Sequence, residues 1–155
     1  MDARLDQVAD AVKARLEEAW GDHDFRIEVA DSPFVEVNDR ENADFLKTRT
    51  ILIVPIGYSF PGMVSRSEEN QDHTLRIGVF ELFTNEGPPS TAWIRERKQW
   101  VEESIIDVLF DSEAEPILGT CIPDTGDVVI ASDPEMLRVH KVFYSEIEIV
   151  YREIV

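Results

Sequence analysis

Residues 141–155 read KVFYSEIEIVYREIV, and the alternation in that stretch decides the fold. Phe143, Ile147, Ile149 and Tyr151 fall on one set of alternate positions, and Tyr144, Glu146, Glu148 and Arg152 on the other. A period of two, rich in β-branched and aromatic residues, marks a half-buried strand. One face is expected against a core. The other, with Glu146, Glu148 and Arg152, is expected to meet solvent or a neighbouring subunit. Because the alternation runs nearly to the last residue, the terminus should be tied into a sheet.

Upstream of this strand, Asp133-Pro134 predicts a turn or short helix through Met136 and Leu137. Short strands are expected at residues 117–122 and 127–131. Between them Pro123-Asp124-Thr125-Gly126-Asp127 reads as a turn, since Asp and Gly suit tight turns. Before the acidic turn at residues 111–116, Ser90 or Thr91 caps a long helix running to about Phe110. Its apolar face holds Trp93, Ile94, Trp100, Val101, Ile105, Val108 and Leu109.

Two further strands precede that helix. Residues 48–58, TRTILIVPIGY, are apolar on both sides and predict an interior strand with Pro55 marking its end, a bulge or an exposed edge. Residues 74–84 alternate Leu75, Ile77, Val79, Glu81 and Phe83 with Arg76, Gly78, Phe80 and Leu82. The connector SFPGMVSRSEENQDH, residues 59–73, has no periodicity and reads as a long loop, so the pair is an antiparallel hairpin with an oversized tip.

Nearer the N-terminus, Leu5, Val8, Ala9, Val12, Leu16 and Ala19 recur at three- and four-residue spacings and predict an amphipathic helix from Asp2 to about Trp20, with Gly21 as its C-cap. Phe25, Ile27 and Val29 make a short strand that Asp31-Ser32-Pro33 interrupts, and residues 37–47 read as a loop with one helical turn at 42–46. Together these elements predict one α+β domain over residues 1–155: a mixed, mainly antiparallel sheet with a long central hairpin, packed by an N-terminal helix and a second long helix.

At 155 residues the chain is long enough for one core removing roughly two-thirds of the unfolded surface from water. With 15 Lys+Arg against 32 Asp+Glu, the formal net charge is -17. That surplus argues against direct grip on nucleic acid, which needs a basic stripe. The densest cationic cluster, Arg95, Arg97 and Lys98, is offset by Glu96, Glu102 and Glu103. A single cysteine excludes an internal disulfide framework, and no apolar run approaches a membrane span or a signal peptide, so a cytoplasmic protein is expected.

Candidate chemistry is sparse. Cys121 and His140 would suit a thiol and its base, yet Cys121 sits in no local motif and a buried structural cysteine explains it. Asp124 and Asp127 resemble a calcium loop only loosely, without the ligand spacing or closing glutamate of an EF-hand. His23, His73 and His140 form no zinc pattern and read as surface or loop residues. Phosphate-cradling and nucleophile-elbow motifs are absent, so no cofactor, metal or catalytic residue is assigned. Trp93 and Trp100, seven apart on one helix, are expected in the core rather than on a contact platform.

Five segments together carry a resemblance: DQVADAVKARL, TRTILIVP, TLRIGVFELF, WIRERKQWVEESIIDVLF and VFYSEIEIVYRE. In order and texture they resemble the tail terminator family of phages and prophages, whose members are also called tail completion or minor tail proteins. The likeness implies a non-enzymatic structural subunit, forming a homo-oligomeric ring, usually a hexamer, that ends tail-tube polymerisation and joins the head–tail connector. Implied partners are the tail tube protein, a connector or neck protein and, in a contractile tail, the sheath. The implied location is the virion neck, after assembly in the host cytoplasm, with no sequence-specific nucleic-acid binding and no membrane. Under this likeness residues 59–73 would order against a neighbour, and acidic side chains facing the lumen would repel DNA phosphates. Two alternatives stay open: another neck or baseplate adaptor, or a small enzyme using Cys121 or the Asp124/Asp127 loop.

Overall fold

A computed structural model describes residues 3–30, 47–65 and 68–154. Helix α1 is Arg4–Trp20, and four strands follow the hairpin logic of the sequence: β1 at Arg26–Val29, β2 at Thr50–Ser65, β3 at Glu68–Leu82 and, at the end, β5 at Val142–Ile154. Between β3 and β5 come α2 at Thr91–Val101, a π-helical turn at Glu102–Ile106, α3 at Asp107–Leu109, the strand β4 at Cys121–Ile130 and a second π turn at Met136–His140. The sheet order is β1-β2-β3-β5-β4, with β1 parallel to β2 and every other pair antiparallel. This is the expected α+β fold. The loop expected at residues 37–47 lies, but for Lys47, outside the described residues, as do Asp2 and Asp31-Ser32-Pro33.

Helix α1 ends where Gly21 takes φ 65 and donates its N–H to the Glu17 carbonyl at 3.1 Å. Val8, Ala9, Val12 and Leu16 are fully buried, while Ala19, expected in the same stripe, is exposed. Those four pack into one cluster with Ile51, Ile53, Leu75, Ile77, Ile147 and Ile149 of the sheet. Each buried Val, Leu or Ile side chain contributes roughly 1.5–3 kcal/mol by leaving water. Ser90 caps α2, its Oγ accepting the Trp93 N–H at 3.1 Å. The Trp20 indole donates to the Ser104 carbonyl in the π turn at 2.9 Å, which fixes α1 against the second helical segment.

Both helical segments cover the same face of the sheet. On the other face lies a smaller cluster, Leu52, Phe80, Val142 and Tyr144, against which Leu82, Ile130 and Met136 pack. That cluster corrects the expectation for β5, because Tyr144 and Glu146, placed on an exposed set, are buried. Glu148 and Arg152 remain partly exposed.

Three connections also differ from expectation. Residues 59–65 and 68–73, expected in a loop, are strand: β2 and β3 stay paired through Ser59↔Asp72, Gly62↔Asn70, Met63↔Glu69 and Ser65↔Glu68, with bulges between, while residues 66 and 67 lie outside the described residues. A ribbon pairs through its backbone, so it leaves no apolar alternation to read. Residues 117–122 are not a strand but mainly a tight turn, with Leu118 and Gly119 at positive φ and Ile117 bridged to Cys121. Asp124, Gly126 and Asp127 do not form a turn either. They lie inside β4, where a bulge between Pro123 and Thr125 absorbs the turn-forming residues.

Gly126 has a packing reason. A Cβ there would lie 2.3 Å from Cζ of Phe110, whose ring rests on the strand, whereas a Cβ on Gly57 would meet nothing within 4 Å. Gly126→Ala is therefore expected to lower unfolding stability by about 1–3 kcal/mol, and Gly57→Ala to change it by less than about 0.5 kcal/mol. Urea denaturation of the two variants checks this; equal midpoints would refute the contact.

Candidate functional site

Cys121 opens β4 directly opposite Glu153 on β5, and the surrounding polar side chains converge on that carboxylate. Arg4, from the first turn of α1, donates to it through Nε at 3.0 and 3.2 Å and through Nη2. Thr120 donates its hydroxyl at 2.7 Å, and Nε2 of His73 lies 3.2 Å away. Hydrogen bonding from the Arg4 guanidinium, with help from Thr120 and His73, holds the Glu153 carboxyl at about 2, well below the ordinary 4.5, against the opposing effect of burial.

His73 is fully buried, which corrects its reading as a loop histidine. It shares the inward phase of β3 with Leu75, Ile77 and Val79, and it pairs across the sheet with Tyr151. Neither Nδ1 of His73 nor the Tyr151 hydroxyl has a hydrogen-bond partner. Desolvation raises the Tyr151 phenol above its usual range.

The same burial raises the Cys121 thiol, and the nearby Glu153 charge adds to the effect. A nucleophilic cysteine needs the opposite, a site that favours thiolate. His140 cannot supply a base, because it precedes the first residue of β5 while Cys121 pairs near the last. The histidine near this corner is His73, and its ring is turned to Glu153. Cross-strand register brings it there, and sequence separation gave no sign of it.

Asp124 and Asp127 are exposed on β4. Asp124 lies 3.4 Å from Arg152, which also binds Asp72 at 2.9 and 3.1 Å. Among the described residues no three His, Cys, Asp or Glu side chains form a group able to hold a metal ion. The second buried ionic group pins the helical layer: Glu81 accepts from Arg49 and Arg97, each at 2.7 Å. Arg97 lies 4.0 Å over Trp93, and Arg49 lies 4.6 Å over Trp100 and 5.1 Å over Phe25. Trp93 and Trp100 are partly buried and pack against the core cluster, not within it.

The Arg4–Glu153 contact joins α1 to the last strand, so its chemistry is that of a latch. No family model matches this sequence, and no curated protein matches it.

Because the folded Glu153 titrates lower than an unfolded glutamate, its stabilisation is complete above about pH 4.5 and is lost as pH falls through about 2. Glu153→Gln is expected to cost roughly 1–3 kcal/mol near pH 7 and to flatten the acid limb of the stability profile. Denaturant midpoints measured from pH 7 down to about 2 check this; parallel profiles for both proteins would exclude the latch.

Proposed function

We propose that this chain is a structural, non-enzymatic subunit of a phage-type tail, forming a ring that terminates tube polymerisation and meets the head–tail connector. The observation that carries the reading is the β2–β3 ribbon. Its strands are 16 and 15 residues long, against the usual five or six. The pairs Met63↔Glu69 and Ser65↔Glu68 lie beyond Asn70↔Ile154, the last pair joining β3 to β5. A two-stranded ribbon is marginal in water by itself. Contact with another molecule gives it a role.

Three further facts agree with this reading. The helices cover one face of the sheet, leaving Arg76, Glu148 and Arg152 on the other for contacts. The buried Cys121 thiol, shifted away from thiolate, offers little to the enzyme alternative. A net charge of -17 also suits a passage through which DNA slides without sticking, since acidic walls repel phosphates.

Purified protein, examined by mass photometry and negative-stain microscopy across a salt series, is expected to form closed rings as screening rises. Added to phage tail tubes, the rings are expected to sit on tube ends and stop elongation. A protein that stays monomeric in the presence of tubes would overturn the reading, and rings that bind elsewhere on the particle would favour the adaptor alternative.

A further inference from the structure

We propose that the outer edge of β4, with the groove beside it, takes up an extended segment of a partner protein in which apolar residues alternate with Lys or Arg, bound as one more strand of the sheet. This site is independent of whether the chain closes into a ring. Among the described residues no strand lies beyond β4, the last in the order β1-β2-β3-β5-β4. Its first residue is engaged, because Ile117 and Cys121 exchange two backbone hydrogen bonds of 2.9 Å. Further on, Thr125 to Val128 keep step with Val150 to Ile147 of β5 in the interval between the two bulges. That interval offers a regular row of backbone donors and acceptors to an added strand.

Apolar exposure concentrates at the same edge. Seven large apolar side chains are exposed among the described residues, and four of them, Leu118, Ile122, Val128 and Val129, belong to β4 or to the turn leading into it. Val128 also lines a groove of about 390 Å³ whose other apolar walls are Val101, Ile106 and Ala131. The π-helical turn Glu102–Ile106 forms one side of this groove, and such turns recur at functional sites. Successive side chains of a strand point to opposite faces, so alternate residues of the added segment face the groove. Main-chain pairing then supplies the grip and the groove the selection, as in other strand-addition sites.

Charge fixes the chemistry of the remaining positions. Glu102 and Asp107 line the groove together with Lys98, and Asp127 is exposed on β4. Among the described residues no ion pair engages Glu102, Asp107 or Asp127. Inside the sheet Asp127 stands opposite Glu148, which offers it no cation. Opposite charges set across a strand pair are favourable and like charges are not, so Lys or Arg on the added strand completes this edge. A second β4 does not fit. Two such strands paired about a two-fold axis would set Asp124 and Asp127 of one copy against those of the other, in chains of net charge -17 each.

The probe is a labelled synthetic peptide of about eight residues, within the usual range of strand lengths, that alternates Val with Lys. It is titrated into the full-length protein and followed by fluorescence anisotropy and amide hydrogen exchange. The wild type is expected to bind it and to gain exchange protection at residues 125–128. Peptides with Ser in place of Val, or Glu in place of Lys, are expected to bind about tenfold more weakly or worse. Val128→Lys/Val129→Lys is expected to weaken binding by about tenfold or more, and Asp127→Lys by roughly fivefold. Asp10→Lys, the same charge change at an exposed position of α1, is expected to change it by less than about twofold, since salt screens distant charges. Circular dichroism and thermal midpoints establish that each variant folds; if lysine unfolds the double variant, Val128→Ser/Val129→Ser takes its place with weaker binding again expected. Absence of binding at millimolar peptide, or protection that falls outside β4, would overturn the proposal. Equal binding of the Ser peptide would show bare charge attraction, and equal binding of the Glu peptide would remove the selection for cations; either result overturns it. A wild type that dimerises through β4 without peptide would give the edge to a second copy, with the same consequence.

Discussion

The antiparallel ladder between β3 and β5 is the constraint on which the rest of the structure depends. It runs without a register shift from Asn70↔Ile154 to Leu82↔Val142. Both strands are interior, so each carries a neighbour on its far side, β2 beside β3 and β4 beside β5. Its inward residues, Leu75, Ile77, Val79, Phe143, Ile147 and Ile149, are the floor on which the helical layer packs. A slip of one residue would turn that floor to the other face. The ladder also sets the ionic contacts, because Arg76 meets Glu148 directly across it and His73 reaches Glu153 only in this register.

In so acidic a chain, the placement of arginine explains much of the surface. Among the described residues three glutamates are buried, and each has an arginine: Glu81 has Arg49 and Arg97, Glu146 has Arg76 at 3.5 Å, and Glu153 has Arg4. Glu146 also accepts the Tyr144 hydroxyl at 2.9 Å, and burial, helped by this bond, raises the phenol above its usual range. Breaking such a pair strands a buried charge, although an apolar substitute for the whole pair can be equally stable. The pairs therefore fix position more than they add stability. Arg4 sets where α1 meets the end of β5, and Arg97 sets where α2 meets β3. With these cations committed inward, more of the outer surface is left to unmatched carboxylates.

Legibility in the sequence followed the apolar period. Where one face of an element is buried and the other wet, as in α1 and the inward phase of β5, the side chains reveal both the element and its face. Residues 59–65 and 68–73 carry no such pattern, since backbone pairing holds the ribbon together there, and their Ser, Asn, Asp and Gly composition reads as loop. In β4, Pro123, Asp124 and Gly126 mimic a turn, yet the bulge accommodates the proline region and the Phe110 ring occupies the space above Gly126. Tyr144 and Glu146 were misplaced because a second apolar cluster covers one end of the outer face, and a single strand cannot reveal what lies over it. His73 was within reach, since it shares the phase of Leu75, Ile77 and Val79. For Cys121, the residue could be picked out, but Glu153, Arg4 and His73 are brought to it by register between distant strands, which spacing along the chain does not encode.

A net charge of -17 sets up long-range repulsion between copies of the chain until salt screens it. Free strand edges are ordinarily a hazard, because any exposed backbone of the right spacing can add to them. Here the two edges differ. β4 carries Asp124, Asp127, Pro123 and two bulges, which oppose pairing with another acidic strand or with itself. β2 carries no charge along its length and holds bulges of its own between Pro55 and Gly57 and between Ser59 and Gly62. The acidic surface thus suppresses indiscriminate contact, while β2, uncharged along its length, depends on its bulges to break a regular pairing edge.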